Sequence, residues 1–448
     1  MTLIKTCASA VILAACAIVC APLMGYTQDQ HEENAQMRDV VEKTRDIVGR
    51  LRSLALRRPV RWKWVTGREL ISVIRKSVER TYTPGELVAE GDLYKRMGLI
   101  PESMNYVEDM FSLLEQQVAG LYEPEEEVLY INRDMGDAIE ESTLAHELAH
   151  ALVDQHFELD SVLDRKEADG DALLARSALM EGDATLITLR YMVTMGIPAA
   201  MDSESMAMYE DLKNYPRFII DSLLFPYTAG MFFVTSMMKN PDDWETVDSA
   251  YSMLPDSTEH ILHPEKYASG EKARKISTSE LPVLSGRYTA VFEEVLGEFV
   301  LLEYLLAHGK RADARRAAGG WGGDAVVLYR PAGAESIGSD MLVLLSVWDR
   351  DGTDGMDEAR EFAEAIMNAQ EMRYDSEAIK CPGHEAYVIP VSKNTTSVVL
   401  RQGSRVILVD NAPLDTAVRT AYEVLEKWRV RDEDPEESFE HDHQIPLM

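Results

Sequence analysis

Residues 140–157 (EESTLAHELAHALVDQHF) constrain this chain more than any other stretch. The run lacks Gly and Pro and is rich in Ala, Leu and Glu, so it predicts one unbroken helix. Leu144, Leu148, Ala151 and Leu152 supply its apolar side, which requires a packed domain around it. At about 3.6 residues per turn, His146 and His150 project from one face, one turn apart, so both imidazoles can meet one ion. Glu147 stands beside the first His and can reach a water on that ion. Zinc suits this set, because it takes neutral imidazole and keeps an open position for water. The alternative is a pair of surface histidines flanking a helix-promoting Glu.

A second long helix is expected over residues 168–193. It carries Ala178-Leu179-Met180-Glu181-Gly182-Asp183-Ala184, where Glu181 lies among small and apolar side chains. A carboxylate there completes a His-His-Glu set of metal ligands. Gly182 removes a side chain where two helices can approach closely. Three of the four cysteines (Cys7, Cys16, Cys20) fall near the N-terminus, leaving Cys381 alone in the body. A cysteine-based zinc site and an intrachain disulfide framework are therefore both excluded, and any metal must rest on His and carboxylate.

These motifs, HELAH followed on a later helix by EGDA, resemble the gluzincins, zinc metallopeptidases with a glutamate third ligand. The pattern LAHELAHAL–DQHF–EGDA is most similar to a poorly characterised bacterial group within them. The similarity runs from about Val118, through AGLYEP, to the segment STEHILHPEKY ending at Tyr267. The resemblance implies a mainly helical, zincin-like catalytic domain with a short edge sheet against which a peptide or protein substrate lies. It implies Zn2+ held by His146, His150 and Glu181, and Glu147 as general base. His263 and Tyr267 are the candidate oxyanion donors, since each can donate a hydrogen bond; the alternative for both is a capping turn. Glu298 stands in reserve as a third ligand. The sequence departs from the family where many gluzincins place an acidic residue one turn after the third ligand. Thr185 occupies that position here; Asp183 lies near the opposite helix face, and Asp154 is an alternative orienting group.

The rest of the chain fills in an α+β organisation: 1–27 a signal segment, 28–310 the zincin-like domain with an N-terminal helical region, 311–430 a smaller α+β module, and 431–448 an acidic disordered tail. Lys5 and the uncharged run over residues 7–24 read as an export signal. Leu13-Ala14-Ala15-Cys16 resembles a lipobox; lipid attachment at Cys16, simple secretion and an uncleaved membrane anchor all remain open. The expected location is the cell envelope or the exterior. A formal net charge of -32 argues against nucleic acid as a partner. Helices are expected over 67–79, 102–114, 215–238 and 286–308. Strands are expected over 118–122 and 128–132 and in five segments after residue 325, and the Gly319–Gly323 run should mark the domain boundary. Two rival functions persist: a zinc hydrolase of a non-peptide amide, and an envelope zinc-binding protein without catalysis.

Overall fold

The computed structural model describes residues 30–135, 141–164, 166, 168–197, 212–334, 337–349 and 357–431. The expected signal segment with Cys16 and the acidic tail lie outside the described residues. Local chemistry sets the first elements after α1 (Gln30–Arg52) and β1 (Arg61–Val65). Thr66 with Glu69, and Thr83 with Glu86, form reciprocal capping boxes that start α2 (Gly67–Thr81) and α3 (Pro84–Met97). Pro84 at the first turn and Gly98 in the left-handed region beyond the last complete the signals on α3. Helix α4 (Tyr106–Gln117) leads into β2 (Gly120–Glu123) and β3 (Val128–Asn132), the expected strand–turn–strand.

A three-stranded sheet in the order β1-β3-β2 backs helix α5 (Glu141–Phe157), with β1 parallel and β2 antiparallel to β3. Leu144, Leu148 and Ala151 of α5 pack on Leu129 and Ile131 of that sheet, whereas Ala145, Ala149 and Leu152 face the main core. The helix is thus buried from Ser142 to Gln155, all round, as an apolar helix without a clean polar face should be. A short α6 (Leu159–Val162) precedes α7 (Gly170–Met195), which starts on an Asp169 cap and stops at Gly196 in the left-handed region. Helix α8 (Arg217–Met237) crosses α7 and holds Pro226 in its interior. Among the described residues it alone is apolar and long enough to cross a membrane, yet half of its apolar stretch is buried in the fold.

Helices α9 (Trp244–Ala250), α10 (Thr258–Leu262) and α11 (Pro264–Ser269) and the short strand β4 (Ile276–Ser277) connect to a seven-stranded antiparallel sheet, ordered β5-β6-β7-β11-β10-β9-β8. Its strands are β5 (Tyr288–Glu294), β6 (Trp321–Pro331), β7 (Met341–Trp348), β8 (Ile379–Lys380), β9 (Ala386–Pro390), β10 (Thr396–Gln402) and β11 (Arg405–Ala412), with helices α12 (Gly297–His308), α13 (Arg311–Ala318) and α14 (Glu358–Tyr374) between them along the chain. Val326, Leu328, Leu342 and Leu344 point into the helical core, while Ala325, Val327, Val343 and Leu345 pack under α15 (Leu414–Lys427). The period-2 alternation therefore serves two cores, and both strands read as continuous apolar runs. The molecule is α+β, helical in its first part and sheet-rich toward its C-terminus.

Two expectations are corrected here. The junction at 310/311 is not a boundary: β5 lies before it and β6 after it, and the two pair side by side. Gly319–Gly323 is no exposed linker, because Trp321 to Gly323 open the buried strand β6 and Gly323 lies against the Arg274 backbone. Residues 286–308 do not form one helix. Gly297, in the left-handed region, separates β5 from α12 (Gly297–His308), and an added Cβ there would strike Asp171 at 1.7 Å.

At the end of α12, His308 Nε2 meets the Met97 carbonyl oxygen at 2.9 Å. Burial, helped by the nearby Arg373 charge, pulls this imidazole down to about 4 from its ordinary 6.5. A base with a depressed folded value binds protons more readily when unfolded, so its stabilising contribution is full above 6.5 and is lost as pH falls toward 4. His308→Gln, which keeps a donor for Met97 but does not titrate, should flatten the loss of stability across that window. Denaturant melts of both proteins at stepped pH will read it; parallel pH profiles would remove His308 as a contributor.

Candidate metal centre

Helices α5 and α7 lie against each other, and each contributes to one buried cluster. His146 Nε2 is 3.1 Å from Glu181 Oε2 and 3.1 Å from His150 Nε2, and His150 Nε2 is 3.4 Å from Glu181 Oε1. Exposure is 9% for His146, 4% for His150 and 1% for Glu181, so water does not solvate the group in bulk. One ligand atom from each residue falls within 4.8 Å of the others, close enough for all three to share one ion. This buried group can hold a metal ion.

The electrostatics follow from the geometry. Burial pushes the Glu181 carboxyl up, but the His150 and His146 imidazoles outweigh it and hold the group well below the usual carboxylate range. Glu181 Oε1 accepts no hydrogen bond among the described residues. Glu147 sits beside the cluster, 1% exposed, with Oε2 accepting the Tyr122 N–H at 2.7 Å. Its Oε1 is buried without a hydrogen-bond partner among the described residues. Burial raises this carboxyl to about 8, against the pull of His146 and the Tyr122 amide. A carboxylate with one oxygen anchored and one bare is poised to exchange a proton.

Strand β2 shapes the approach. It is an edge of its sheet, and a cavity beside it is lined by Leu121, Tyr122, Ile74, Val78, Met180 and His150. Tyr122 is held at both ends, its amide on Glu147 and its hydroxyl on Asp154 Oδ2 at 2.8 Å. The second Asp154 oxygen accepts the Leu159 N–H, so Asp154 braces Tyr122 and the turn after α5 and does not orient His150. Asp183 serves the fold as well. It is fully buried and accepts from Arg52 Nε at 2.9 Å and Tyr251 OH at 3.1 Å, tying the end of α1 to α7.

Two side chains that motif spacing did not reveal touch His146. Thr188 Oγ1 lies 3.3 Å from His146 Nδ1. The Tyr227 ring of α8 lies 6.0 Å from the His146 ring, centroid to centroid. Thr188 is seven residues beyond Glu181 and so shares its helix face, a signal present in the sequence. Tyr227 carries no such signal, since only the tertiary crossing of α8 over α7 brings it near.

The candidate oxyanion donors His263 and Tyr267 make hydrogen bonds of their own outside the ligand group. His263 Nε2 pairs with Glu298 Oε1 at 3.0 Å, which raises the imidazole's proton affinity. Tyr267 donates to the Met253 carbonyl oxygen at 2.8 Å. Neither makes a hydrogen bond, ion pair or ring contact with His146, His150, Glu147 or Glu181, and Glu298 is likewise not a member of the ligand group. Nearby, Glu259, Glu271 and Asp349 surround Lys266 Nζ at 2.5, 3.3 and 2.6 Å. That carboxylate cluster already has its cation. Its physical role is to pin α11 to the end of β7.

A family model described as a domain of unknown function (DUF8575) matches residues 286–421, which span the seven-stranded sheet. No curated protein and no solved structure matches the chain.

Proposed function

We propose that this protein is a zinc-dependent peptidase in which His146, His150 and Glu181 hold the metal and Glu147 is the general base. The observation that carries the proposal is the convergence of His146 Nε2, His150 Nε2 and the Glu181 carboxylate within 3.1–3.4 Å of one another in one buried site. With the Thr188 hydroxyl donating to the Ala184 carbonyl at 2.7 Å, its oxygen at 3.3 Å favours an N–H on His146 Nδ1, which turns the Nε2 lone pair toward Glu181 and His150. Two imidazole nitrogens and a carboxylate gathered in a buried site favour a shared cation. Two imidazoles and a carboxylate make a donor set that suits zinc.

Zinc held by His146, His150 and Glu181 would supply Lewis-acid polarisation of a carbonyl and would lower the pKa of a bound water. The protein's own contribution is the placement of Glu147. Its Tyr122-anchored carboxylate fixes the bare Oε1 where it can take a proton from the attacking water and return it to the leaving amine. The β2 edge beside the cluster favours an extended peptide, which pairs with a strand edge through its main chain. Burial excludes bulk water and strengthens each of these charge interactions.

The test is zinc content and peptide cleavage on the purified chain, before and after chelation. Stoichiometric zinc and chelator-sensitive cleavage are expected. Zinc without cleavage of any peptide pool would favour a binding protein. Cleavage that survives complete removal of the metal would reject the mechanism.

A further inference from the structure

We infer that Thr188 is a positioning residue that selects the metal-competent tautomer of His146. The inference rests on the proposed metal centre and goes beyond its ligand set. A neutral imidazole carries one proton, on either Nδ1 or Nε2, and the hydrogen bond made by one nitrogen decides the state of the other. Thr188 Oγ1 lies 2.7 Å from the Ala184 carbonyl oxygen, which can only accept, so the hydroxyl's single hydrogen goes there. Toward His146 Nδ1, at 3.3 Å, the same oxygen has only lone pairs to offer. The proton of His146 therefore sits on Nδ1, and Nε2 faces the site unprotonated.

The competing tautomer has its own attraction. With the proton on Nε2, His146 would donate to Glu181 Oε2 across 3.1 Å, a charge-assisted bond that closes the site without any metal. Thr188 sets a price on that state, because Nδ1 would then face the hydroxyl oxygen lone pair to lone pair. No other side chain fills this role. Asp154 is taken by Tyr122 and Leu159, and Asp183 by Arg52 and Tyr251. Thr185, one turn after Glu181, makes no side-chain hydrogen bond among the described residues. The task has moved from that turn to the next position along the same helix face.

The test uses Thr188→Val, close in shape but unable to accept, and Thr188→Ser, which restores the oxygen. Imidazole nitrogen NMR on the metal-free chain, above the range where imidazoles protonate, reads the tautomer directly. Wild type and Thr188→Ser should show His146 with the proton on Nδ1; Thr188→Val should move it to Nε2. Zinc competition against a chelator should show affinity falling about 10- to 100-fold in Thr188→Val and recovering in Thr188→Ser. An unchanged tautomer in Thr188→Val would overturn the inference, as would a zinc loss that Thr188→Ser fails to rescue. If wild type takes up no zinc, the metal proposal fails by itself, and the metal-free tautomer measurement still decides what Thr188 does.

Discussion

Glu181→Ala should leave the protein without its metal, and Glu147→Gln should leave the metal in place with almost no peptide cleavage. Under the proposed mechanism the two effects separate, because it gives the two carboxylates different roles in nearly identical surroundings. Both are 1% exposed. Glu181 faces His146 and His150 with both oxygens, so its removal leaves two imidazoles to hold the ion alone. Losing a direct ligand should cost more than the roughly 10- to 100-fold typical of outer partners. Glu147 keeps one oxygen on the Tyr122 N–H, and a glutamine carbonyl can accept the same bond at 2.7 Å. The side chain should therefore stay in place while losing the capacity to take a proton, lowering turnover by about 10²- to 10⁴-fold. Metal analysis and peptide-cleavage assays on wild type and both variants read the outcome together. Zinc retained by Glu181→Ala would move the third ligand elsewhere, and wild-type turnover by Glu147→Gln would remove the proposed base.

The parts of the centre that were legible in the sequence are those written in local periodicity. His146 and His150 meet because four residues nearly complete a turn, and Glu181 joins them because α7 follows α5 through a short connection. The strand pair before α5 was legible for the same reason, since alternation and the Pro124-Glu125-Glu126 turn are local signals. What escaped depends on contacts far apart along the chain. His263 and Tyr267 lie in a dense polar segment that reads like site chemistry, yet that polarity answers to Glu298 and Met253. Residues 286–308 read as one apolar helix because β5 pairs with β6 and α12 sits in the main core, so both are apolar for different reasons. The apparent boundary at Gly319–Gly323 failed on the same ground. Glycines there make room for Arg274 and Glu358, a close approach that composition cannot tell from a loose linker.

Gly230→Ala should be among the most damaging single-methyl additions in the molecule, and it should weaken the metal centre without touching a ligand. The sequence marked Gly182 as a place for close helix approach, and the structure supplies its counterpart. A Cβ on Gly182 would lie 2.2 Å from the Gly230 carbonyl carbon, and one on Gly230 would lie 1.9 Å from the Ala178 carbonyl oxygen. Both obstacles are backbone, so no rotamer change relieves them; α7 and α8 must separate. Glycine in a helix interior costs about 1 kcal/mol relative to alanine, so at an open site this replacement would stabilise. Here the overpacking, at or beyond the upper end of about 1–3 kcal/mol because both obstacles are backbone, should exceed that gain and leave a net loss of about 2 kcal/mol. The consequence reaches function because Glu181 adjoins Gly182 and Tyr227 of α8 lies beside His146. Displacing α8 should loosen both walls of the site and lower zinc affinity. Gly85→Ala is the control: it lies in α3 with nothing within 4 Å of the added carbon, and it should be neutral or slightly stabilising. Urea melts and chelator competition on both variants give the comparison. If Gly230→Ala unfolds at the wild-type urea midpoint and binds zinc equally well, the two helices do not cross at these glycines and the centre is not braced by α8.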